Sequence, residues 1–557
     1  MEFEGGKLLV QRTPIARLPV ELLTNIIDIS AHDPLYGGWD QYLPDVSITI
    51  SHVCRFWRDA ALGPGGKMLW TRVPLRHSAA CVRAFMERSN PLLVFLKIEL
   101  GDTSVPTSLT ALAEAVTFMD RVGGISFNSL YDRDEDLNDV DDQLHRDIYN
   151  ILSSKPAPSL EIMSWCYAHT LEEAGPTTLP LNLFAGQVPD NLCFLRITGM
   201  ELPFDHTILR ANLTSLELED CSAWETVDDL LGTLSRIPAL EQISFKAMSQ
   251  HLVEGDHQLS QAYAQRSISL PRLDTLILTD SQPDLPGIIL FYLRLAIDTR
   301  IHIEIELDED TIPDEDVSIL RGALEAHYSD FADGQKFAFS AVSVGLCGAN
   351  EYGLSMQASS HGETYLSVVL APAWPTNTSG NEMMMKAARQ LLSISIMSTA
   401  TRLNISHSNF FAIGRAADWL ALRTCVPNLE TIAISRDALY GLCPALLAPP
   451  DIESGVLFPK LGRIRFEGIA FDEDANLVAF FIVALVFIAR HRLRHGHPIK
   501  RIKIRRCFGA KKLSEHLSAA LPDTDVVWRE VGTQGKALVK TEATRWDHGD
   551  ADLREVD

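Results

Sequence analysis

The chain has 557 residues, 46% apolar and 22% charged, the composition of a globular protein with ample material for a core rather than of a disordered chain. Its 49 Lys and Arg stand against 73 Asp and Glu, and the field of a formal charge of −24 repels phosphate backbones and anionic lipid, so neither nucleic acid nor membrane is expected as the main partner. The nine cysteines are odd in number, scattered and never at CxxC spacing, which argues against a disulfide framework or a structural zinc site and predicts reduced, mostly buried thiols in the cytosol or nucleus.

Residues 1–14 lack a basic flank followed by an apolar run and are read as a flexible N-terminus rather than a secretory signal. A first helix is predicted from Pro19, which a first helical turn tolerates, with Glu21 suited to the positive end of the helix dipole. Leu22, Leu23, Ile26, Ile27 and Ile29 fall on one of its faces. The loop 32–44 contains Pro34, Gly37, Gly38 and Pro44, which leave no room for a regular element. A second helix from about Ser47 carries Ile50, Val53, Cys54, Trp57 and Ala61 as an apolar stripe, and Gly63, Pro64, Gly65 and Gly66 end it.

These residues carry a resemblance. Leu18-Pro19 with Glu21-Leu22 and Ile26, then Val53-Cys54-Arg55 with Trp57-Arg58, then Leu69-Trp70, resemble the F-box over residues 15–72. In that family the module is a small helical unit that docks onto a Skp-type adaptor and through it onto a cullin ubiquitin ligase. The resemblance implies a partner-binding role for Leu18, Pro19, Leu22, Ile26, Val53, Cys54 and Trp57. The sequence departs from the family's pattern in length, since 35 positions separate Leu18 from Val53 and the excess lies in the loop 32–44. Without the resemblance, the same segment reads as a helical hairpin capping a solenoid.

Beyond Trp70, a six-residue theme recurs with apolar residues at its first, fourth and sixth positions. It is loosest at Leu93-Leu96-Ile98 and Leu160-Met163-Trp165, and clearer at Leu192-Leu195-Ile197, Leu213-Leu216-Leu218, Leu240-Ile243-Phe245 and Leu273-Leu276-Leu278. It returns as Leu429-Ile432-Ile434, Leu461-Ile464-Phe466 and Ile499-Ile502-Ile504, and Pro238, Pro271, Pro427 and Pro459 each stand two residues before a copy. A short strand with alternating inward residues buries its face only by stacking on like strands, which is leucine-rich-repeat logic. The copies from Leu160 start 32, 21, 27 and 33 residues apart, so the period is irregular and long, and helices are expected in the returns, with Val227 to Ile237 and Asn476 to His491 as candidates. Between Pro283 and Thr401 the theme fades, leaving strand candidates at 301–307 and 365–370; either the register drifts or a different element is inserted. A three-layer α/β domain is the competing fold, but it has no need of the proline-preceded hexamer.

The run Leu477 to Ala489 is 13 residues without a polar one, too short to cross a bilayer, and is expected as a buried helix with acids before it and bases after it. The basic stretch Arg490 to Lys512 is expected to cap that helix and flank the inward Ile502 and Ile504 on a last strand, the alternative being a meeting point for an acidic partner. The tail 540–557 is expected to be disordered.

No GxGxxG, GxxxxGK[ST], HExxH or GxSxG occurs. The acidic run from Asp132 opens like a calcium loop but has Leu137 and Gln143 where glycine and glutamate are required, so a solvated loop to Asp142 is expected instead. The reading is therefore an α/β protein with a small N-terminal helical F-box-like module, 15–72, and an irregular leucine-rich-repeat-like solenoid, 73–539. It is expected to be a substrate adaptor without catalytic residues, metal or cofactor, its partners a Skp-type adaptor, a cullin through it, and a protein substrate. The alternatives are a solenoid scaffold without ligase association and an unrecognised hydrolase.

Overall fold

The computed structural model describes residues 18–31, 45–101, 107–130, 139–168, 178–247, 252–253, 258–280, 284–307, 314–329, 338–347, 353–372, 386–406, 416–434, 438–447, 456–467, 475–505, 507 and 510–528. The expectations for 1–14, the loop 32–44 and the tail 540–557 lie outside these residues. The protein is mixed α/β with mostly parallel strands. It divides into two compact units, Met1–Asp256 and His257–Asp557, a boundary inside the stretch 73–539.

The first unit opens with helices α1 (Val20–Ala31), α2 (Asp45–Val53) and α3 (Arg55–Leu62), followed by a 3-10 turn, Pro64–Trp70. The single second helix expected from the sequence is thus two. Cys54 breaks it in an extended conformation (φ −161°, ψ 173°), and the Arg58 Nε donates to the Ser51 carbonyl at 2.8 Å, satisfying one of the acceptors that the end of α2 leaves open.

Next in the chain come seven strands: β1 (Arg72–Val73), β2 (Val94–Gly101), β3 (Val122–Leu130), β4 (Ile162–Ala168), β5 (Phe194–Thr198), β6 (Ser215–Glu219) and β7 (Gln242–Ala247). Each pairs in parallel with the next in chain order, and α4 (Ala79–Ser89), α5 (Leu109–Val116), α6 (Asp139–Leu152) and α7 (Val227–Arg236) lie in the returns. The fourth positions of the hexamers align across the strands as Leu96, Ile125, Met163, Leu195, Leu216 and Ile243, and the sixth as Ile98, Phe127, Trp165, Ile197, Leu218 and Phe245, all of them buried. Phe127 and Trp165 stack with ring centres 4.4 Å apart. Two of the copies escape the sequence pattern, Trp70-Val73-Leu75 and Val122-Ile125-Phe127, because their leading residue is not Leu or Ile.

The prolines have a local cause. Leu240 N–H donates to the Ile237 carbonyl, Leu273 to Leu270 and Leu461 to Phe458, so Pro238, Pro271 and Pro459 each occupy the second position of a β-turn, where their fixed φ is already correct. The ladder begins just after such turns: Ser215 N–H donates to the Cys193 carbonyl, Gln242 to Thr214, Arg463 to Glu430 and Arg501 to Gly462. The acidic loop expected to reach Asp142 is shorter than that, since α6 already begins at Asp139 with the acids that a first helical turn favours.

In the second unit, β8 (Ile268–Leu270) and β10 (Leu293–Leu295) form a parallel pair. β9 (Thr275–Asp280) pairs with β11 (Arg300–Leu307), and β11 with β14 (Glu363–Pro372), all parallel. The fading of the theme between 283 and 401 is an insertion: β13 (Gly353–Ser360) runs antiparallel between β14 and β12 (Ala341–Cys347). Parallel order resumes through β15 (Arg402–Ser406), β16 (Thr431–Ile434), β17 (Arg463–Glu467), β18 (Arg501–Arg505) and β19 (Asp525–Trp528). Val342, Leu403, Ile432, Ile464 and Ile502 make one buried row and Val344, Ile405, Ile434, Phe466 and Ile504 the next. The intervening helices include α8 (Asp284–Tyr292), α9 (Asp314–Ser329), α10 (Ala416–Cys425), α11 (Ala438–Leu447), α12 (Ala475–Arg494) and α13 (Ala510–Ala520). The outward rows of the strands are mixed: Arg196, Glu217, Arg463 and Lys503 are exposed or half-buried, whereas Ser126, Ser244 and Ala433 in the same rows are buried.

α12 corrects two expectations. The apolar run is buried on one face only: Phe481, Leu485 and Ile488 face the core, while Phe480, Val483 and Phe487 are exposed. Twenty residues of mostly apolar helix therefore form an amphipathic element by packing rather than by polarity, and no helix among the described residues is long and apolar enough to cross a membrane. Arg492, expected as a solvent-facing cap, is instead fully buried and donates to the carbonyls of Leu457 (2.7 Å), Phe458 (2.9 Å), Leu461 (3.1 Å) and His497 (3.1 Å). It bolts α12 to the Pro459 turn that launches β17, and burial pushes its pKa down to about 10.

This packing sets two measurable outcomes. Leu218→Ala, in the middle of an aligned row, is expected to cost about 2–5 kcal/mol in urea unfolding, whereas a change below about 0.5 kcal/mol would mean that the row does not hold the sheet. His327 on α9 is buried, and burial, reinforced by Arg266, holds its imidazole down to about 3 against the usual 6.5. The folded state therefore keeps it neutral while the unfolded chain protonates it, so its contribution is complete above 6.5 and is lost as pH falls from there toward 3. His327→Leu is expected to flatten the decline of the urea midpoint across that window.

Candidate partner-docking site

The helical segment builds its own small core, and the residues left out of that core are informative. Leu23 from α1, Ile50 from α2, Ala60 and Ala61 from α3, Leu69 and Trp70 from the 3-10 turn and Phe85 from α4 are buried together, with Trp57 partly buried against them. Trp70 is the pivot. Its indole N–H donates to the Ala61 carbonyl at 2.8 Å, Phe85 meets its ring edge-on at 4.9 Å, and the Arg88 guanidinium lies 4.3 Å above it. Gly66 is required beneath this arrangement, because a Cβ there would stand 2.2 Å from the same Ala61 oxygen. The Ser47 hydroxyl donates to the Leu69 carbonyl, fixing α2 to the turn.

Of the seven residues that the F-box resemblance singles out, none is buried. Leu22 is 50% exposed, Ile26 47% and Val53 56%; Pro19 and Cys54 are exposed as well, and Leu18 and Trp57 are half-buried. Leu22 and Ile26 lie one turn apart on α1, while their neighbour Leu23 points into the core. The expected single faces are therefore divided: on α1 Leu23 goes inward and Leu22 and Ile26 outward, and at the α2–α3 break Ile50 and Ala61 go inward and Val53 and Cys54 outward. Sequence reasoning missed Leu62 and Met68, two further exposed large apolar residues of the same segment. Their only signal was position, at the glycine-rich end of the helix.

Several groups with chemical potential elsewhere among the described residues are buried in the packing. Ser129 and His145 are hydrogen-bonded at 3.3 Å, but both are buried, in a site where Phe127 and Tyr167 pack on the imidazole. Burial pushes the thiols of Cys221 and Cys443 up to about 12, far from the thiolate a nucleophile needs. Of the eight free cysteines among the described residues four are buried, three are intermediate and Cys54 is exposed, so the expectation of mostly buried thiols holds for half of them. Among the described residues no group of three or more His, Cys, Asp or Glu gathers as a metal site. A shallow cavity of about 390 Å³ lies between α5 and α6, lined by the apolar Ala113, Val116 and Ile151 and the polar Thr117, Asn150, Ser154 and Lys155.

Against known proteins, no family model matches the chain and no curated protein matches it.

The split between core and surface is measurable without any partner. Leu22→Ala and Ile26→Ala are each expected to shift stability by less than about 0.5 kcal/mol, and Leu23→Ala, one position away, to cost about 2–5 kcal/mol. Equal losses at all three positions would show that α1 packs by a different face.

Proposed function

We infer that the chain is a substrate adaptor of the Skp–cullin–F-box type, working in the cytosol or nucleus, with residues 15–72 holding the ligase machinery and an irregular leucine-rich-repeat-like solenoid presenting the substrate. The observation that carries this reading is the exposure of Leu22, Ile26 and Val53 on a helical segment that closes a complete core without them. Large apolar side chains left at a surface cost solvation free energy of about 25 cal/mol per Å² unless a partner covers them. They coincide with the residues that the F-box resemblance assigns to adaptor binding. The aligned, chain-order parallel strands support the solenoid, since each adds one rung to a continuous surface. On this reading the chain supplies proximity and no chemistry.

The test is co-purification of the intact chain with a Skp-type adaptor, beside the triple variant Leu22→Ala, Ile26→Ala, Val53→Ala. These positions serve better than Trp57, whose truncation would also damage the core. Capture by the intact chain, reduced at least about tenfold in the triple variant with its circular dichroism unchanged, is the expected result. Absence of capture by the intact chain would leave a solenoid scaffold in which the same helices are only a cap.

A further inference from the structure

The helix α12 carries two kinds of residue on one exposed stripe. Phe480, Val483, Phe487, Arg490 and Arg494 recur at intervals of 3, 4, 3 and 4, and all five are exposed, Phe487 by 63% and Val483 by 54%. That alternation is the seam along which one α-helix packs on another. The first part of the stripe is apolar and the last part basic, while Phe481, Leu485, Ile488 and Arg492 on the opposite side are buried.

Three acids, Asp472, Glu473 and Asp474, immediately precede Ala475, the first residue of α12. Three residues of chain reach at most about 11 Å, so these carboxylates stay near the apolar end of the stripe by connectivity alone. The helix dipole accounts for acids at one end and bases at the other. It does not account for Arg490 and Arg494 sharing a stripe with Phe480 and Phe487, since Arg492 between them turns inward.

A helix that fits this stripe in the antiparallel sense brings acids to Arg490 and Arg494 and apolar side chains to the rest. Read from its own start, it must run acidic and then apolar, and α12 with its leading acids runs in that order. We propose that the stripe is the self-association surface of this chain, two copies packing their α12 helices antiparallel about a two-fold axis. With the axis at the level of residue 485, Val483 meets Phe487 of the second copy, Phe480 meets Arg490, a cation over an aromatic face, and Arg494 reaches the acids. A parallel copy would instead set arginine against arginine. Both halves of such a contact use the same patch, so the assembly closes at two. The formal charge of −24 opposes the approach of copies in general, and within a screening length of about 8 Å the local pairing of acids with arginines decides where they meet. The proposal does not rest on the adaptor reading.

The experiment is sedimentation velocity of the full chain from about 1 to about 300 µM, the range in which a small interface opposed by net charge associates. A concentration-dependent passage from one chain to two is expected, weakened about tenfold or more by Val483→Gln, Phe487→Gln, which touches no buried residue. Two charge variants then test who the partner is. Arg490→Glu, Arg494→Glu and Asp472→Lys, Asp474→Lys are each expected to be monomeric alone, because both contacts of the pair become repulsive, and to form the dimer again when mixed, because both contacts then join opposite charges. Should either fail to fold by circular dichroism, Arg494→Glu mixed with Glu473→Lys makes the same comparison with one charge on each side. An intact chain that stays monomeric, association unchanged in the Val483→Gln, Phe487→Gln chain, or a mixture no more dimeric than its components would each overturn the proposal. Adaptor capture by the Val483→Gln, Phe487→Gln chain is expected to persist, so failure of either reading is visible separately.

Discussion

A strand that is apolar on alternate residues has one face it must hide, and in this protein the hiding is done mostly by the side chains of the neighbouring strands and the helices behind them. The aligned rows through Leu195, Leu216 and Ile243, and through Ile432, Ile464 and Ile502, show the consequence: every rung buries its inward residues in register with the rung before. A slip of one residue would turn the whole inward set to solvent, so the hexamer spacing fixes register as well as burial. The Pro-x-Leu turns, the ladder bonds made just after them and the aromatic stack of Phe127 on Trp165 all serve that alignment. Arg492 does the same from behind, holding a helix to the turn from which a strand starts.

The N-terminal helices solve the opposite problem. Their core gathers Leu23, Ile50, Leu69 and Phe85 around Trp70, closed by the small residues Ala60 and Ala61, and leaves Leu22, Ile26 and Val53 outside it. A segment of this size cannot bury everything apolar that it carries. The break at Cys54 and the close approach at Gly66, both backbone features, shape the α2–α3 side of this core, while on α1 the packing against its neighbours divides inward from outward residues.

Those backbone features explain how much was legible in the sequence. The hexamers were, because a one-four-six spacing is a local pattern that strand geometry reads directly, and every copy with a leading Leu or Ile forms a strand in the expected place. The copies at Trp70 and Val122 were not, since the leading position tolerates any apolar residue of the right bulk and a leucine-like pattern passes over Trp and Val. The insertion of β13 was visible only as a fading, because antiparallel pairing leaves no mark of its own in a run such as 353–360. In the helical module the residues were found but their sides were not: periodicity assigned Leu22, Leu23 and Ile26 to one face, and only the packing of α1 on its neighbours divides them.

The division of each strand into inward and outward residues has a consequence for how such a protein can change. Inward letters are held by volume and register, so they drift slowly and only in company with their neighbours. Outward letters touch no core, and a substitution at Arg463, Glu217 or Lys246 can alter what the face attracts while leaving the rungs beneath it intact. Stability and selectivity are thus written on alternate residues of the same short strands, and descendants of this sequence are free to revise the second without rewriting the first.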